Sequence, residues 1–225
     1  MGYLLQQRVP SEDVPFTPLE RWMWSVVNSL GKLAPLPGGM RVSDVKIENV
    51  VVTATLDQRM DLPSILKACR NAEYRPRKFP GLVFRLKHPK TSTLIFSTGK
   101  MVCTGAKSER EAQSAVRKVI RLLKKSGIII LSKPRIEIVN IVASADLGER
   151  IDIEKAVRGM ENVMYEPEQF PGLIYRMEDP KVVMLLFASG KLVCTGARRE
   201  EQVYRAVEKM SKMLKERDLY YRGSA

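Results

Sequence analysis

The chain contains one long segment that is written twice. Residues 79–106 read FPGLVFRLKHPKTSTLIFSTGKMVCTGA and residues 170–197 read FPGLIYRMEDPKVVMLLFASGKLVCTGA, with 16 of 28 positions identical. The offset of 91 residues holds without a gap over residues 45–123 of the first copy. A unit of this length is too long for a solenoid repeat. The sequence therefore predicts two copies of one α+β subdomain, related by pseudo-twofold symmetry.

The sequence pattern predicts the same order of secondary-structure elements in each copy. In the first copy, β-branched residues indicate a strand over 46–56, and a short helix is expected over about 62–70. Three meandering strands follow near 80–87, 92–98 and 100–106, separated by Pro- and Gly-containing turns. The second copy repeats this order 91 residues later. The pattern is typical of strands that meander in an antiparallel sheet.

A helix closes each copy. In the first copy Ser108 and Glu111 have the spacing of a capping box, and Gly127 stands where a C-terminal cap is expected. Apolar residues recur between them at helical spacing. One such helix can cover only one face of the sheet in its copy.

Alternation along the strands separates the two faces of the predicted sheet. The face under the helix is purely apolar and includes Val50, Val52 and Phe84. The other face mixes apolar side chains with Asn, Thr, Arg and Lys. It could be buried as the second layer of a β-sandwich, but unpaired buried cations oppose that interpretation. We therefore expect an exposed apolar face with a cationic rim, which is typical of an interaction surface.

A DNA minor groove suits such a face. Asn and Thr can hydrogen-bond the acceptors at base edges, and rim cations can meet the flanking phosphates. Phenylalanines at the two ends can wedge between base steps. A polyanionic partner is also favoured by the formal net charge of +13. The excess of positive charge lies in residues 45–135, which have 20 basic and 6 acidic groups. Residues 136–225 have 14 basic and 15 acidic groups.

Other function classes receive little support from the composition. The three cysteines lack CxxC spacing, and the single histidine, His88, lies in a polar turn. We expect no disulfide framework, no metal site, no cofactor and no catalytic centre. No apolar run is long enough to span a bilayer, and we expect no signal peptide.

The repeated motifs resemble the TATA-box-binding protein family in its archaeal form. They are N-[VI]-V in the first strand, FPGL[VI][FY]R, P-K-x3-L-[IL]-F-x-[ST]-GK and V-x-TGA, each present twice between residues 44 and 220. The resemblance implies an α+β fold in which the tandem repeat forms a curved antiparallel ten-stranded saddle, with helices on the convex face. It also implies that the concave face binds and bends A/T-rich (TATA) promoter DNA in the minor groove, without enzymatic activity.

The resemblance also implies roles for residues in matching positions of the two copies. The DNA-intercalating wedges are Phe79, Phe96, Phe170 and Phe187; base contacts come from Asn49, Asn140, Thr104, Thr195, Val51, Val102, Val142, Val193, Leu94 and Leu185; phosphate contacts come from Arg85, Arg176, Lys100 and Lys191.

The loops before the first phenylalanines give the repeat a direction. Arg75 and Arg77 in the first copy correspond to Glu166 and Glu168 in the second. By resemblance, Glu166 and Glu168 contact transcription factor B, which with the RNA polymerase complex is an expected partner on double-stranded promoter DNA. The expected location is the archaeal cytoplasm, associated with the nucleoid, or the nucleus in a eukaryote.

The expected domains are an N-terminal extension over 1–43, a first saddle repeat over 44–134 and a second over 135–222. The extension predicts one amphipathic helix followed by a Pro/Gly linker. Three alternatives remain open from the residues alone. They are a sheet-based binder of single-stranded RNA or DNA, a saddle domain serving a nuclease, and an interaction scaffold without DNA binding.

Overall fold

The computed structural model describes residues 45–221, and the predicted N-terminal helix lies outside this range. Ten antiparallel strands form one sheet. The strands are β1 (Lys46–Thr55), β2 (Ala72–Glu73), β3 (Leu82–Leu86), β4 (Thr91–Ile95), β5 (Lys100–Ala106), β6 (Arg135–Asp146), β7 (Val163–Met164), β8 (Leu173–Met177), β9 (Val182–Leu186) and β10 (Lys191–Ala197).

The strand order is β2-β3-β4-β5-β1-β6-β10-β9-β8-β7, so the second half mirrors the first. The two copies join where β1 pairs with β6, with Val50 opposite Ile141, Asn49 opposite Val142 and Val51 opposite Asn140. The pseudo-twofold axis therefore passes between these two strands. The predicted fold class is confirmed: a single open antiparallel sheet built from two tandem repeats.

Four helices accompany the sheet in the described range: α1 (Leu62–Ala68), α2 (Glu109–Lys125), α3 (Ile153–Gly159) and α4 (Glu200–Glu216). The long helices α2 and α4 bury an apolar stripe, which in α2 includes Ala112, Val116 and Leu123. The opposing sheet residues Val50, Val52 and Phe84 are at most 2% exposed. The alternation assigned this core face correctly because successive strand side chains point to opposite faces.

The ends of α2 follow the predicted signals with one difference. Ser108 Oγ accepts a hydrogen bond from Glu111 N (3.1 Å), as a capping box requires. The Glu111 carboxylate, however, accepts from Lys107 N rather than from Ser108 N. Gly127 follows the helix with a φ of +83°, a left-handed conformation that glycine adopts without a steric penalty.

The strand prediction differs from the structure in two ways: one predicted strand is too long, and two short strands were not predicted. The strand expected over 92–98 ends at Ile95, so Phe96 lies in the following turn, with its N–H donating to Lys100 O (2.9 Å). The short outer strands β2 and β7 have only two residues each. Two residues carry no detectable alternation, and only pairing with β3 or β8 identifies them as strands.

Candidate nucleic-acid interface

Asn49 and Thr104 form a polar pair at the centre of the helix-free face. Asn49 Oδ1 accepts a hydrogen bond from Gly105 N (2.8 Å), which fixes the orientation of the amide. Asn49 Nδ2 then donates to Thr104 Oγ1 (3.0 Å). An amide nitrogen carries two donors, so one N–H remains for an acceptor on a ligand.

The second copy repeats this arrangement across the axis. Asn140 Oδ1 accepts from Gly196 N (2.8 Å), and Asn140 Nδ2 donates to Thr195 Oγ1 (3.3 Å). Both glycines have positive φ, of +101° at Gly105 and +96° at Gly196, in the irregular part of the strand pairing. Two oriented amides, flanked by two hydroxyls, therefore occupy the middle of the sheet.

Apolar residues form the floor around these amides, but the two copies differ in exposure. Val51, Leu94 and Val102 of the first copy are partly exposed. The matching residues of the second copy, Val142, Leu185 and Val193, are at most 1% exposed. All six lie on the predicted face. The second set can contact a ligand only if these side chains become exposed on binding.

Each end of the face carries a pair of phenylalanine rings. The Phe79 and Phe96 centroids are 5.9 Å apart with an interplanar angle of 64°, and the Phe170 and Phe187 values are 5.9 Å and 65°. This edge-to-face geometry is favourable for aromatic pairs. Phe79 is 38% exposed although it is a large apolar side chain. The four predicted wedge residues thus form two preassembled pairs, one in each repeat.

A glycine lies beneath each ring pair and leaves room for it. A Cβ atom on Gly81 would stand 2.6 Å from Phe79 Cε1 and 3.0 Å from Phe96 Cε1. On Gly172 it would stand 2.7 Å from Phe170 Cε1. Such distances are well below van der Waals contact, so any larger residue displaces the rings. This explains the glycine of both FPG motifs.

The predicted rim cations differ in their surroundings. Arg85, Arg176 and Lys100 are exposed, and Lys191 is partly exposed. Arg85 Nη2 lies 3.8 Å from Glu73 Oε2, a carboxylate that also pairs with Arg75 at 2.9 Å. The position matching Glu73 in the second copy is Met164, so Arg176 lacks this acidic neighbour.

The two end loops share one backbone conformation and have opposite charges. Phe79 N donates to Arg75 O (3.0 Å), and Phe170 N donates to Glu166 O (2.8 Å). Glu166 and Glu168 are exposed, as are Arg75 and Arg77. The structure therefore places these charges on equivalent, accessible turns, where they distinguish the two ends of the sheet.

Sequence reasoning missed Glu48, which lies beside the helix-free face. Ser144 Oγ of that face donates to Glu48 Oε1 (2.9 Å), and the ammonium groups of Lys46 and Lys107 lie 3.1 and 3.2 Å from the carboxylate. Burial by itself would raise the pKa of this carboxyl, but these hydrogen bonds outweigh it and the pKa is lowered. The only feature of the sequence that could have indicated Glu48 is the difference between the copies: its counterpart in the second copy is Val139.

The described residues offer few side chains for metal binding or nucleophilic chemistry. Within residues 45–221, no group of three or more His, Cys, Asp or Glu side chains is arranged to hold a metal ion. The cysteines are buried and unpaired, and burial raises the pKa of Cys194 to about 12, which keeps it as a thiol. No helix of this range is long and apolar enough to cross a membrane.

Comparison with known proteins gives a consistent result. The family model described as "Transcription factor TFIID (or TATA-binding protein, TBP)" matches residues 44–126 and 135–217. The TATA-box-binding protein of Pyrodictium occultum is 56% identical over 169 residues, which cover 75% of this chain and 85% of that protein. The protein of the same name from Sulfurisphaera tokodaii is 56% identical over 174 residues, covering 77% and 88%.

A solved structure agrees with the sequence comparisons. The Methanococcus jannaschii TBP structure superposes with a TM-score of 0.70 at 48% identity, and the match covers 77% of this chain and 99% of that one. The two family-model matches coincide with the two structural repeats.

Proposed function

The chain belongs to the TATA-binding protein family, and we propose that it binds A/T-rich (TATA) promoter DNA in the minor groove and bends it. The bent complex then nucleates assembly of the transcription initiation machinery. The observation that carries this proposal is the pair of oriented amides, Asn49 and Asn140, at the centre of an otherwise apolar face.

The orientation of these amides favours A·T base pairs. Each Oδ1 accepts from a backbone N–H and from the neighbouring threonine hydroxyl, which together use both of its acceptor sites, so each side chain offers only donors to the groove. The minor-groove edges of A·T pairs present acceptors alone, the adenine N3 and thymine O2. Guanine places an amino donor there, which would face the amide donor and remain unpaired. Thr104 and Thr195 extend the polar centre on both sides.

The ring pairs provide the bend, a mode of binding known for this family. Phe79 with Phe96, and Phe170 with Phe187, insert at base steps at the two ends of the site and unstack them. Support comes from the exposure of Phe79 and the partial exposure of the other three rings, from their equivalent places in the two repeats and from the absence of a Cβ on the glycine beneath each pair. Unstacking costs a few kcal/mol per step, which the added apolar contact with the floor offsets.

The remaining predicted contacts complete the interface. Arg85, Lys100, Arg176 and Lys191 at the rim bind phosphates and supply much of the affinity, with the salt dependence that such contacts bring. Val51, Val102 and Leu94 line the groove floor, and their second-copy counterparts Val142, Val193 and Leu185 join it when binding exposes them. No catalytic step belongs to this function, and the protein acts on promoter DNA in the nucleoid.

Direction on the promoter comes from the end loops. The site is nearly symmetric and so is a TATA element, so a polar complex needs an asymmetric partner contact. Glu166 and Glu168 supply it by binding transcription factor B, which in turn recruits RNA polymerase. Support for this assignment is the charge reversal between equivalent exposed turns: Arg75 and Arg77 stand where the second copy has the glutamates.

The test is a bending measurement with the full chain. A donor and an acceptor dye are attached to the ends of an A/T-rich promoter duplex, with a G/C-rich duplex as control, at two salt concentrations. We expect selective binding with increased energy transfer, and loss of the increase when all four wedge phenylalanines are replaced by alanine. Equal binding of both duplexes with unchanged energy transfer would refute the proposal.

The same experiment also distinguishes duplex binding from the alternative, binding of single-stranded RNA or DNA. A protein that stacks single-stranded bases on aromatic rings prefers an unpaired oligonucleotide of the same A/T-rich sequence. We expect the duplex to bind more tightly, because paired rings at two distant ends do not form a continuous stacking platform. Preference for the single strand would favour that alternative instead.

A further inference from the structure

The outer face of α2 is strongly basic, whereas the symmetry-related face of α4 is not. The two helices occupy equivalent places, each 17 residues long and each packed on its own half of the sheet. Three exposed positions reverse charge between them: Arg110, Arg117 and Lys125 of α2 correspond to Glu201, Glu208 and Glu216 of α4. Packing therefore does not explain the basic residues, since the same fold accepts acidic ones.

The cations of α4 are partly neutralised and those of α2 are not. Arg205 pairs with Asp179 at 2.6 Å and Lys212 pairs with Glu216 at 3.7 Å. Among residues 45–221, no carboxylate within 4.0 Å pairs with Arg110, Arg117, Arg121, Lys124 or Lys125 of α2.

A cationic groove continues this face toward the edge of the first repeat. Lys118 of α2 donates to the backbone oxygen of His88, which joins the helix to the β3–β4 turn. The turn borders an open groove of about 630 Å³, whose charged lining residues are Arg70, Arg85, Lys87 and Lys90 and one carboxylate, Glu73. In the second copy the positions matching Arg70 and Lys87 are Glu161 and Glu178. The basic surface thus extends over two elements of one repeat alone.

The spacing of the helix cations suits a phosphate backbone. Arg110, Arg117, Arg121 and Lys124 recur at intervals of seven, four and three residues, which places them along one helical face. With a rise of 1.5 Å per residue, this stripe is roughly 21 Å long. One DNA strand advances about 3.4 Å per phosphate along the axis, so the stripe faces roughly six phosphates.

The composition of the surface favours nucleic acid over a protein partner. Protein interfaces depend on a few buried aromatic or apolar anchors surrounded by polar groups. None of the exposed large hydrophobic side chains of residues 45–221 lies on α2. Exposed Lys and Arg without such anchors are the composition expected for backbone contacts, which position a protein without reading sequence.

We infer that the outer face of α2, with the adjoining groove of Arg70, Lys87 and Lys90, is a second DNA site that contacts duplex phosphates independently of sequence. The outer face of α2 lies on the helix-covered side, away from the promoter-binding face, whereas the groove lies at the edge of the sheet, where Arg85 of the promoter rim also lines it. The protein can then hold a second duplex segment while the first is bound, and only the first repeat presents this surface.

The test measures binding of a labelled G/C-rich duplex to the full chain at several salt concentrations. It is run alone and with one equivalent of unlabelled A/T-rich promoter duplex, which fills the promoter-binding face without the excess that would also occupy a sequence-independent site. The test variant combines Arg121→Gln and Lys124→Gln, and the matched control combines Lys212→Gln and Lys215→Gln. The control changes the symmetry-related positions of α4 and removes the same charge. Failure of promoter binding would be seen separately, with the labelled A/T-rich duplex.

We expect the G/C-rich duplex to bind in both conditions. For the α2 variant, the slope of log K against log salt becomes shallower by about 2, one unit for each lost phosphate contact. The α4 variant keeps the slope of the unmodified protein, and both keep their promoter binding. Complete competition by the promoter duplex, or equal loss in the two variants, would overturn the inference. So would binding of poly-L-glutamate in place of DNA, because that result would assign the face to an acidic protein.

Discussion

Glu109 and Glu200, which begin the two long helices, cap each other across the pseudo-twofold axis. Glu109 N donates to Glu200 Oε1 (2.7 Å), and Glu200 N donates to Glu109 Oε1 (2.6 Å). The two residues are 91 positions apart, so they are the same residue of the repeat meeting its own copy. Each carboxylate satisfies a free N–H at the start of the other helix and lies at the positive end of its dipole.

Replacement of either glutamate by alanine is expected to lower the free energy of unfolding by about 1 kcal/mol, as for the loss of a helix cap. The double variant should lose more than the sum of the two single losses. Each single replacement also removes the repulsion between the two carboxylates, which partly offsets the loss of the cap. In the double variant this offset is counted only once, so the total loss is larger than the sum. Chemical denaturation of the four proteins in this cycle measures the effect. A strictly additive result would show that the carboxylates do not interact.

Gly81→Ala and Gly172→Ala should impair DNA bending with little effect on folding. The added methyl group meets the phenyl rings rather than the backbone, and exposed rings can move. We expect reduced energy transfer on the A/T-rich duplex for each variant. Gly159→Ala is a suitable control, because its Cβ would find no atom closer than Leu219 Cδ2 at 3.9 Å. Normal bending by the Gly81 and Gly172 variants would show that ring placement is not required.

Asn49→Asp and Asn140→Asp should weaken promoter binding while preserving the fold. A carboxylate still accepts the N–H of Gly105 or Gly196, but it offers no donor and adds negative charge beside the bases. An unsatisfied polar contact costs about 1–3 kcal/mol, or roughly 5- to 150-fold in affinity. Fluorescence anisotropy with the promoter duplex measures the change. Asn162→Asp, in an exposed bend, is the control for charge alone, and an equal loss there would contradict the assigned contact.

Glu166→Gln with Glu168→Gln should leave promoter binding intact and abolish recruitment of transcription factor B. Both side chains are exposed, so the change is not expected to affect stability. An electrophoretic mobility shift of the DNA complex, with and without transcription factor B, distinguishes the two steps. Arg75→Gln with Arg77→Gln is the symmetry-related control. Recruitment that survives in the glutamate variant, or is lost equally in the arginine variant, would argue against this contact.

Glu48→Gln should alter the pH dependence of stability. The pKa of Glu48 is lowered from the model-compound value of 4.5, so its stabilising contribution is present above that value and is lost as pH falls through the folded-state pKa. The variant should be less stable than the unmodified protein near neutral pH, by about 1 kcal/mol or less for so accessible an ion pair. The difference should shrink below pH 4.5. A difference that is constant with pH would exclude the ionised carboxylate as its cause.

Predictions from the repeat and from strand alternation were accurate for the core. Val50, Val52 and Phe84 were assigned to the face under the helices, and all three are buried. Alternation succeeds there because each side chain depends only on its position in one strand. Phe96 was assigned to a strand but lies in a turn, and the two-residue strands were missed. Strand ends are set by pairing partners, which local sequence does not specify.

The candidate site also has features that were predicted from the sequence and contacts that were not. The resemblance placed Asn49, Thr104 and the four phenylalanines on one face, and the structure brings them there in two matching sets. It did not indicate that Gly105 N–H orients the Asn49 amide, or that Glu48 contacts Ser144. Both contacts arise where the pairing of β1 becomes irregular, between Val50 and Val52 and between Ile47 and Asn49.

The sequence by itself therefore determined the tandem repeat, the two faces of the sheet and the unequal charges of the two halves, because each can be established by comparing positions along the chain. Only the tertiary structure decided which residues meet across the axis, including Glu109 with Glu200 and Glu48 with Ser144. Those contacts depend on strand register and on the packing of one repeat against the other. Both are set by the summed interactions of many residues rather than by the residues in contact.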